Sequence, residues 1–302
     1  MMQDFYSNGK LLISGEYAIL DGAEGWAIPT KFGQTLKVVN DTSGLLTWKS
    51  IDADGSIWFQ GTYNLLDFAV LSTTEDKIAL SLIDILTQTK KLNPKFLDLS
   101  EGCTVETELT FPRNWGLGTS STLINNIAQW AKINPYHLLS ETFGGSGYDI
   151  ACAQHDHPIL FKIENKEPIV WKAKAVLPFS NALYFVYLNQ KKNSREAITA
   201  YRERPIDKVA LTKTINELTG ALIQATTLKE FEDLLHLHEK TLSHALNIPT
   251  IKEQLFPDYT GSIKSLGGWG GDFVLVTSRK NTLEYFKEKG YETIIPFSEM
   301  IL

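Results

Sequence analysis

Three kinds of residue in this chain could do phosphate chemistry: a glycine run followed by hydroxyls, a lysine, and an aspartate. The glycines lie in Pro-Arg-Asn-Trp-Gly-Leu-Gly-Thr-Ser-Ser-Thr at 112–122. Upstream, Cys103, Val105, Thr107, Leu109 and Phe111 alternate with polar residues, the pattern of a strand burying one face. Downstream, Leu123, Ile127, Trp130 and Ala131 recur at helical spacing, which puts Thr119, Ser120, Ser121 and Thr122 at N-cap and first-turn positions. Gly116, Leu117 and Gly118 then precede a helix N-terminus, whose unpaired N–H groups and positive dipole end suit an anion. Small residues there let a phosphate reach the backbone, and the hydroxyls can bind its metal. Gly-rich strand-to-helix turns also occur where nothing binds. Two other phosphate signatures fail on spacing: no lysine follows Gly118 as a Walker A loop requires, and Ser121 stands where a dinucleotide fingerprint needs its third glycine. Protein-kinase signatures are absent as well.

The elements that must hold these residues follow from periodicity. A short strand is expected at 10–13, a longer one at 26–39, and a hairpin at 45–60 turning at Asp54-Gly55. Ile78, Leu82, Ile85 and Leu86 make the stripe of an amphipathic helix over 75–91. Asn134-Pro135 reads as a cap and first-turn proline for a further helix, which ends at Gly144-Gly145. Asp149 follows that glycine-rich turn, which would expose its short side chain; a helix-capping Asp is the alternative. Strands are expected at 159–163, 169–173 and 182–188, helices at 195–204, 208–226 and 228–246, and a strand with a glycine loop at 262–271. A strand, helix and strand at 273–277, 282–289 and 291–297 complete the pattern.

Composition narrows the class. At 302 residues, 43% hydrophobic and 21% charged, the chain can bury a large core, and two closely packed lobes are expected. A net charge of −6 argues against a nucleic-acid partner. Cys103 and Cys152, both in apolar surroundings, read as core thiols and not a disulfide. No charged leader precedes an apolar run and no stretch is long enough to span a bilayer, so a cytoplasmic protein without a membrane partner is expected. His155/His157 and His236/His238 are spaced i and i+2, which on a helix face apart, against a metal site. Lys191, Lys192 and Arg195 form a basic loop that is either solvated or a phosphate contact.

The run Pro-x-x-x-Gly-Leu-Gly-Thr-Ser-Ser-Thr resembles the central ATP-binding motif of the GHMP kinases, a superfamily that includes galactokinase, homoserine kinase, mevalonate kinase and phosphomevalonate kinase. Two further motifs follow the family order. Asn8-Gly9-Lys10-Leu11-Leu12-Ile13-Ser14-Gly15-Glu16-Tyr17 is similar to the N-terminal Pro-Gly-Lys motif with Asn8 for Pro, and Ser265-Leu266-Gly267-Gly268-Trp269-Gly270-Gly271-Asp272 to the C-terminal glycine-rich motif. The segment Ser146-Gly147-Tyr148-Asp149-Ile150-Ala151 resembles the mevalonate-kinase stretch carrying the catalytic aspartate, and its Gly-Tyr-Asp-Ile-Ala a bacterial subgroup of the superfamily.

The resemblance implies an α/β (α+β), two-lobed fold, an N-terminal mixed sheet with helices over 1–178 and a C-terminal ferredoxin-like α+β lobe over 179–302. It implies ATP and Mg²⁺ as cofactors and a small-molecule acceptor, in a monomer or homodimer. By the same carry-over Asp149 is the catalytic base and Lys10 the cation that keeps it ionised; Gly116, Leu117, Gly118, Thr119, Ser120 and Ser121 hold the phosphates, Thr119 and Ser121 also serving as helix caps. Glu16, Tyr17, Gly267, Gly268 and Gly270 fall on the substrate side, and Ser120 contacts the metal. Where mevalonate kinases carry a second metal ligand, a Glu, this chain has Leu138; Glu141 is the nearest acidic candidate, out of register. Ser-Gly-x-Asp points to mevalonate and Gly-Glu-Tyr-Ala-Ile-Leu to phosphomevalonate as acceptor, with galactose- or homoserine-type kinases and a non-catalytic nucleotide binder as alternatives.

Overall fold

The computed structural model describes residues 2–97, 101–173, 177–191, 194–269 and 271–302. Two compact units emerge, Met1–Gly9 with Phe32–Arg113 and Leu117–Gln154, and Lys10–Lys31 with Asn114–Gly116 and His155–Leu302. This division is interleaved, where the sequence expectation was of lobes over 1–178 and 179–302. The reason is strand length: β1 (Met2–Ser14) and β2 (Gly25–Asp41) are each long enough to run from one unit into the other.

In the first unit β3 (Leu45–Ile51) and β4 (Ile57–Asn64) form the expected hairpin, and β5 (Val70–Thr73) extends it. Next comes α1 (Asp76–Leu92), started by the Glu75 side chain accepting from Lys77 N and buried along Ala79, Leu82, Ile85 and Leu86. Strand β6 (Gly102–Leu109) lies between β3, which it pairs in parallel, and the C-terminal half of β2, which it pairs antiparallel. Three helices follow: α2 (Thr119–Ala131), α3 (Pro135–Glu141), capped by Asn134, and α4 (Tyr148–Ala153). Trp48, Phe59 and Tyr63 from the sheet meet Leu82, Leu86, Ile124 and Ile127 from the helices in one core.

The second unit contains β7 (Ile159–Glu164) and β8 (Glu167–Lys172), paired antiparallel, with β7 also pairing Gly25, Trp26 and Ala27 of β2. Then come β9 (Leu183–Tyr187), α5 (Ser194–Arg202), α6 (Lys208–Gln224), α7 (Leu228–Leu246), α8 (Ile251–Leu255), β10 (Ile263–Ser265), β11 (Phe273–Thr277), α9 (Thr282–Glu288), β12 (Ile294–Pro296) and α10 (Phe297–Met300). The last four strands form an antiparallel sheet in the order β10-β11-β9-β12. With helices between β9 and β10 and between β11 and β12, this is the expected ferredoxin-like arrangement. No described helix is long and apolar enough to cross a membrane.

Inside the first unit, α2 is tied down by neutral polar side chains as well as by its apolar stripe. Thr122 Oγ1 donates to Gln34 Oε1 at 2.8 Å, and Asn126 Nδ2 to Gln34 O at 2.9 Å. Ser7 Oγ donates to Asn126 Oδ1 at 2.7 Å, Asn125 Nδ2 to Ser7 Oγ at 2.8 Å, and Gln154 Nε2 to Asn125 Oδ1 at 3.1 Å. Ser7, Asn125 and Asn126 are wholly buried, so each bond replaces a lost bond to water. The chain of bonds joins the first turn of α2 to β1, to β2 and to the residue that ends α4. Asn126→Asp, equal in size but unable to donate to Gln34 O, is expected to lower the urea unfolding free energy by about 1–3 kcal/mol; an unchanged midpoint would remove the network from this role.

Candidate functional site

The glycine turn has the backbone its composition called for. Gly116 and Gly118 take φ of 68° and 100°, left-handed values that suit glycine, and Gly118 is the N-cap of α2. The expectation that Thr119 and Ser121 cap the helix is corrected. A residue at Ncap must offer a side-chain oxygen to the following amides, and here that residue is glycine. Ser121 Oγ instead donates back to Gly118 O at 2.9 Å, and Thr122 Oγ1, whose proton goes to Gln34 Oε1, lies 3.1 Å from the same oxygen. The helix thus starts with no side-chain cap and no acidic residue in its first turn. Among the described residues the amides of Thr119, Ser120 and Ser121 have no hydrogen-bond partner, and Thr119 Oγ1 is buried without one. Ser120 is exposed. Such an end is electropositive and can accept an anion on three backbone donors.

The start of the turn, Asn114 to Gly116, belongs to the second unit and is fastened there. Tyr187 Oη donates to Asn114 O at 3.0 Å, and Trp115 sits edge-on to Phe273 with ring centroids 5.5 Å apart. Lys10 Nζ donates to Gly116 O at 2.8 Å, bringing a cation to the turn. On the other side the Asp272 carboxyl lies so close that a Cβ on Gly116 would overlap it. Only glycine fits, for reasons of space as well as φ. In the first unit Asp149 occupies the first turn of α4, entered through Gly147 at φ 87°, and its Oδ1 accepts from Ile150 N at 3.1 Å.

Glu16, expected on the substrate side, lies in a buried cluster of charges. It is 1% exposed and forms an ion pair with Lys264, itself wholly buried. Glu239 Oε1 lies 3.3 Å from the same ammonium, His238 Nε2 lies 3.6 Å from Glu16 Oε2, and Lys264 Nζ also donates to Ser265 O at 2.5 Å. Burial opposes the Lys264 charge, but the Glu16 and Glu239 carboxylates outweigh it and raise its pKa. Burial, with the Lys264 charge adding, holds His238 neutral, well below the usual imidazole range. Burial pushes Glu239 up to about 7, with Lys264 pulling it down and Glu16 pushing it further up. Glu16 is raised too, by burial before all else.

Lys264, His238, Glu239 and Asp272 have no assigned role in the sequence reading. A signal existed for His238, which falls in the buried stripe of α7 with Phe231, Leu235, Leu242 and Leu246. His236 on that helix is exposed, so the two histidines do not converge. Tyr17, at φ 61°, has its hydroxyl accepting from Trp269 N at 2.9 Å. Gly267 takes φ 65° in the turn after β10, and Gly268 O accepts from Gly271 N at 3.2 Å. Gly270 and Lys192 lie outside the described residues, as does the Arg195 side chain. Glu141 is exposed at the end of α3, Leu138 is wholly buried, and no three His, Cys, Asp or Glu side chains gather as a metal cage among the described residues. Cys103 and Cys152 are free buried thiols.

By sequence, no family model and no curated protein matches the chain. By structure the likeness is extensive. The Methanococcus jannaschii mevalonate kinase superposes with a TM-score of 0.68 at 15% identity, covering 97% of this chain and 96% of that one. The Streptococcus pneumoniae phosphomevalonate kinase gives 0.68 at 13% identity, covering 95% of each chain. The Lactococcus lactis galactokinase gives 0.69 at 11% identity, covering 98% and 94%.

The fold is that of the GHMP kinases.

Within this GHMP kinase fold the glycine turn, Lys10 and Asp149 occupy the strand-to-helix turn, the first strand and the short α4 helix described above. The buried cluster joins the Gly15-Glu16-Tyr17 turn to β10, and its titration has a definite sign. His238 is neutral when folded but takes up a proton in the unfolded chain around its ordinary value of about 6.5, so up to about pH 7.5 it offsets part of the slope that Glu239 gives and above that contributes none. Glu239 holds its proton more tightly when folded, so the stability it contributes below its unfolded value of about 4.3 is lost as pH rises through about 7. The urea midpoint is therefore expected to fall between about pH 6.5 and 8, and Glu239→Gln, which cannot ionise, to flatten that fall and be the more stable protein at about pH 8. An equal slope in wild type and variant would assign the titration elsewhere.

Proposed function

We propose that the protein is an ATP-dependent small-molecule kinase of the GHMP type, acting on mevalonate or phosphomevalonate. The observation that carries this is the uncapped start of α2, three amide donors without a partner behind a glycine turn to which Lys10 is anchored. A triphosphate suits that end of the helix, with Lys10 offsetting charge at the turn. Solved structures alike in fold act on related acceptors: the Streptococcus pneumoniae phosphomevalonate kinase was crystallised with phosphomevalonate and AMPPNP, and the Leishmania major mevalonate kinase with R-mevalonate.

In this reading Asp149 takes the proton of the acceptor hydroxyl as its oxygen bonds to the γ-phosphorus. The bond from that phosphorus to the β,γ-bridging oxygen breaks, and ADP leaves. A phosphate acceptor would already be ionised and would need no base. The donor set suits a Mg²⁺ carried on the nucleotide, with the exposed Ser120 hydroxyl as a protein ligand, better than a metal caged by carboxylates. Glu141 remains the acidic residue to test as its second ligand. A reducing, cytoplasmic setting accords with two free thiols.

ADP release coupled to pyruvate kinase, measured with mevalonate, phosphomevalonate, galactose and homoserine, tests the reading. Turnover is expected with one of the first two. Asp149→Asn is expected to keep AMPPNP affinity while kcat on a hydroxyl acceptor falls about 10²–10⁴-fold; AMPPNP binding with no ADP release from any acceptor would leave a nucleotide-binding protein instead.

A further inference from the structure

The stretch that leads into Asp149 offers it little support. Between α3 and α4 the chain passes Gly144 and Gly145, both exposed and both at left-handed φ, 65° and 107°, and a Cβ on either would meet nothing within 4 Å. Helix α4 has six residues, and its N-cap, Gly147, offers no side-chain bond to the first amides. A helix that short does not hold itself together in water, so its position is set by what packs on it. Its far end is tied, because Gln154 Nε2 donates to Asn125 Oδ1 at 3.1 Å.

The near end is met by Tyr136. Gly147 is buried, and a Cβ built on it would lie 2.9 Å from Cδ1 and 3.1 Å from Cε1 of the Tyr136 ring, with Leu139 Cδ2 at 3.7 Å. Tyr136 is itself well anchored: it is the second residue of α3, its amide donates to Asn134 Oδ1 at 2.9 Å, and Pro135 precedes it in the first turn. Behind it Leu138 and Leu139 share one core with Ile150 of α4. Burial first, then the Cys152 and Asp149 charges, push the Tyr136 phenol above its usual range, so it stays neutral. Tyr136 therefore brings bulk to this turn and no charge.

Resting on the kinase reading above, in which Asp149 takes the acceptor proton, we propose that Tyr136 is a positioning residue for Asp149: its ring, seated on Gly147, fixes where α4 begins and hence where the carboxylate stands. The two exposed glycines leave the chain free to swing, and the ring stops it. Proton transfer needs the carboxylate within hydrogen-bond reach of the acceptor hydroxyl, so a shift of about 1 Å costs up to about 10²-fold in rate. Nucleotide affinity, carried by the start of α2, does not depend on this contact.

The test compares Tyr136→Ala, Tyr136→Leu and Tyr136→Phe in the full chain, by ADP release with the acceptor that wild type turns over and by hydrogen exchange without ligand. The alanine and leucine variants are expected to lose about 10–100-fold in kcat while acceptor KM and AMPPNP affinity hold. They are also expected to exchange about tenfold faster at the Ala151 amide, which donates to Gly147 O, with the middle of α2 still protected. Tyr136→Phe keeps the ring and is expected to restore both readouts; the leucine variant carries the comparison if alanine unfolds the chain. Lower stability with wild-type kcat, or a phenylalanine variant as slow as alanine, would overturn the proposal. No ADP release from the wild type would end the kinase reading by itself, whereas unchanged exchange at Ala151 in the leucine variant would end this proposal whether or not the protein turns over.

Discussion

The candidate site depends on one lysine removed from water. Lys264 has no exposed surface, and an ammonium in that position is tolerable only because Glu16, Glu239 and Ser265 O converge on it. Each partner comes from a different element: the turn after β1, the helix α7, and β10 itself. Removing either the ammonium or its nearest carboxylate would strand the other charge, a loss of about 3–5 kcal/mol. The cluster therefore specifies one geometry between the Gly15-Glu16-Tyr17 turn and the strand entering the third glycine motif. That geometry continues outward: Tyr17 meets Trp269, Asp272 closes on Gly116, and Lys10 holds the Gly116 carbonyl.

The first unit solves its positioning problem with neutral groups. Gln34, Asn125, Asn126, Ser7 and Thr122 hold the start of α2 without any ionisable side chain, so the helix end keeps its positive field for a ligand. An acidic cap at Gly118 would satisfy the amides that an anion needs. A glycine there leaves them open at some cost in helix stability.

Much of this was legible in the chain. The hairpin turning at Asp54-Gly55, the Asn134 cap, α6 and α7, and β11 follow from turn chemistry and period alone. The hydroxyl run after Gly118 signalled a helix start, though which group capped it depended on backbone angles that residue types do not reveal. β1 was read as four residues because Gln3, Asp4, Ser7 and Asn8 look unlike a strand, and the partners of Ser7, Asn125 and Asn126, lie far along the chain. For the same reason the sequence assigns Lys264 and Glu239 no role. A buried ion cluster has no local pattern, since Glu16 stands 248 residues from Lys264 and only the fold brings them together. The interleaved units escaped notice likewise, because a strand crossing from one unit to the next carries no composition change.

The central claim, that the turn at Gly116 and the open end of α2 take the phosphates of a nucleotide, is tested most directly by hydrogen exchange with and without AMPPNP and Mg²⁺. Slower exchange is expected at the amides of Thr119, Ser120 and Ser121, which have no hydrogen-bond partner among the described residues, and in the peptides around Lys10 and Asp272. Unchanged exchange across 114–122 at a nucleotide concentration that saturates binding would contradict it.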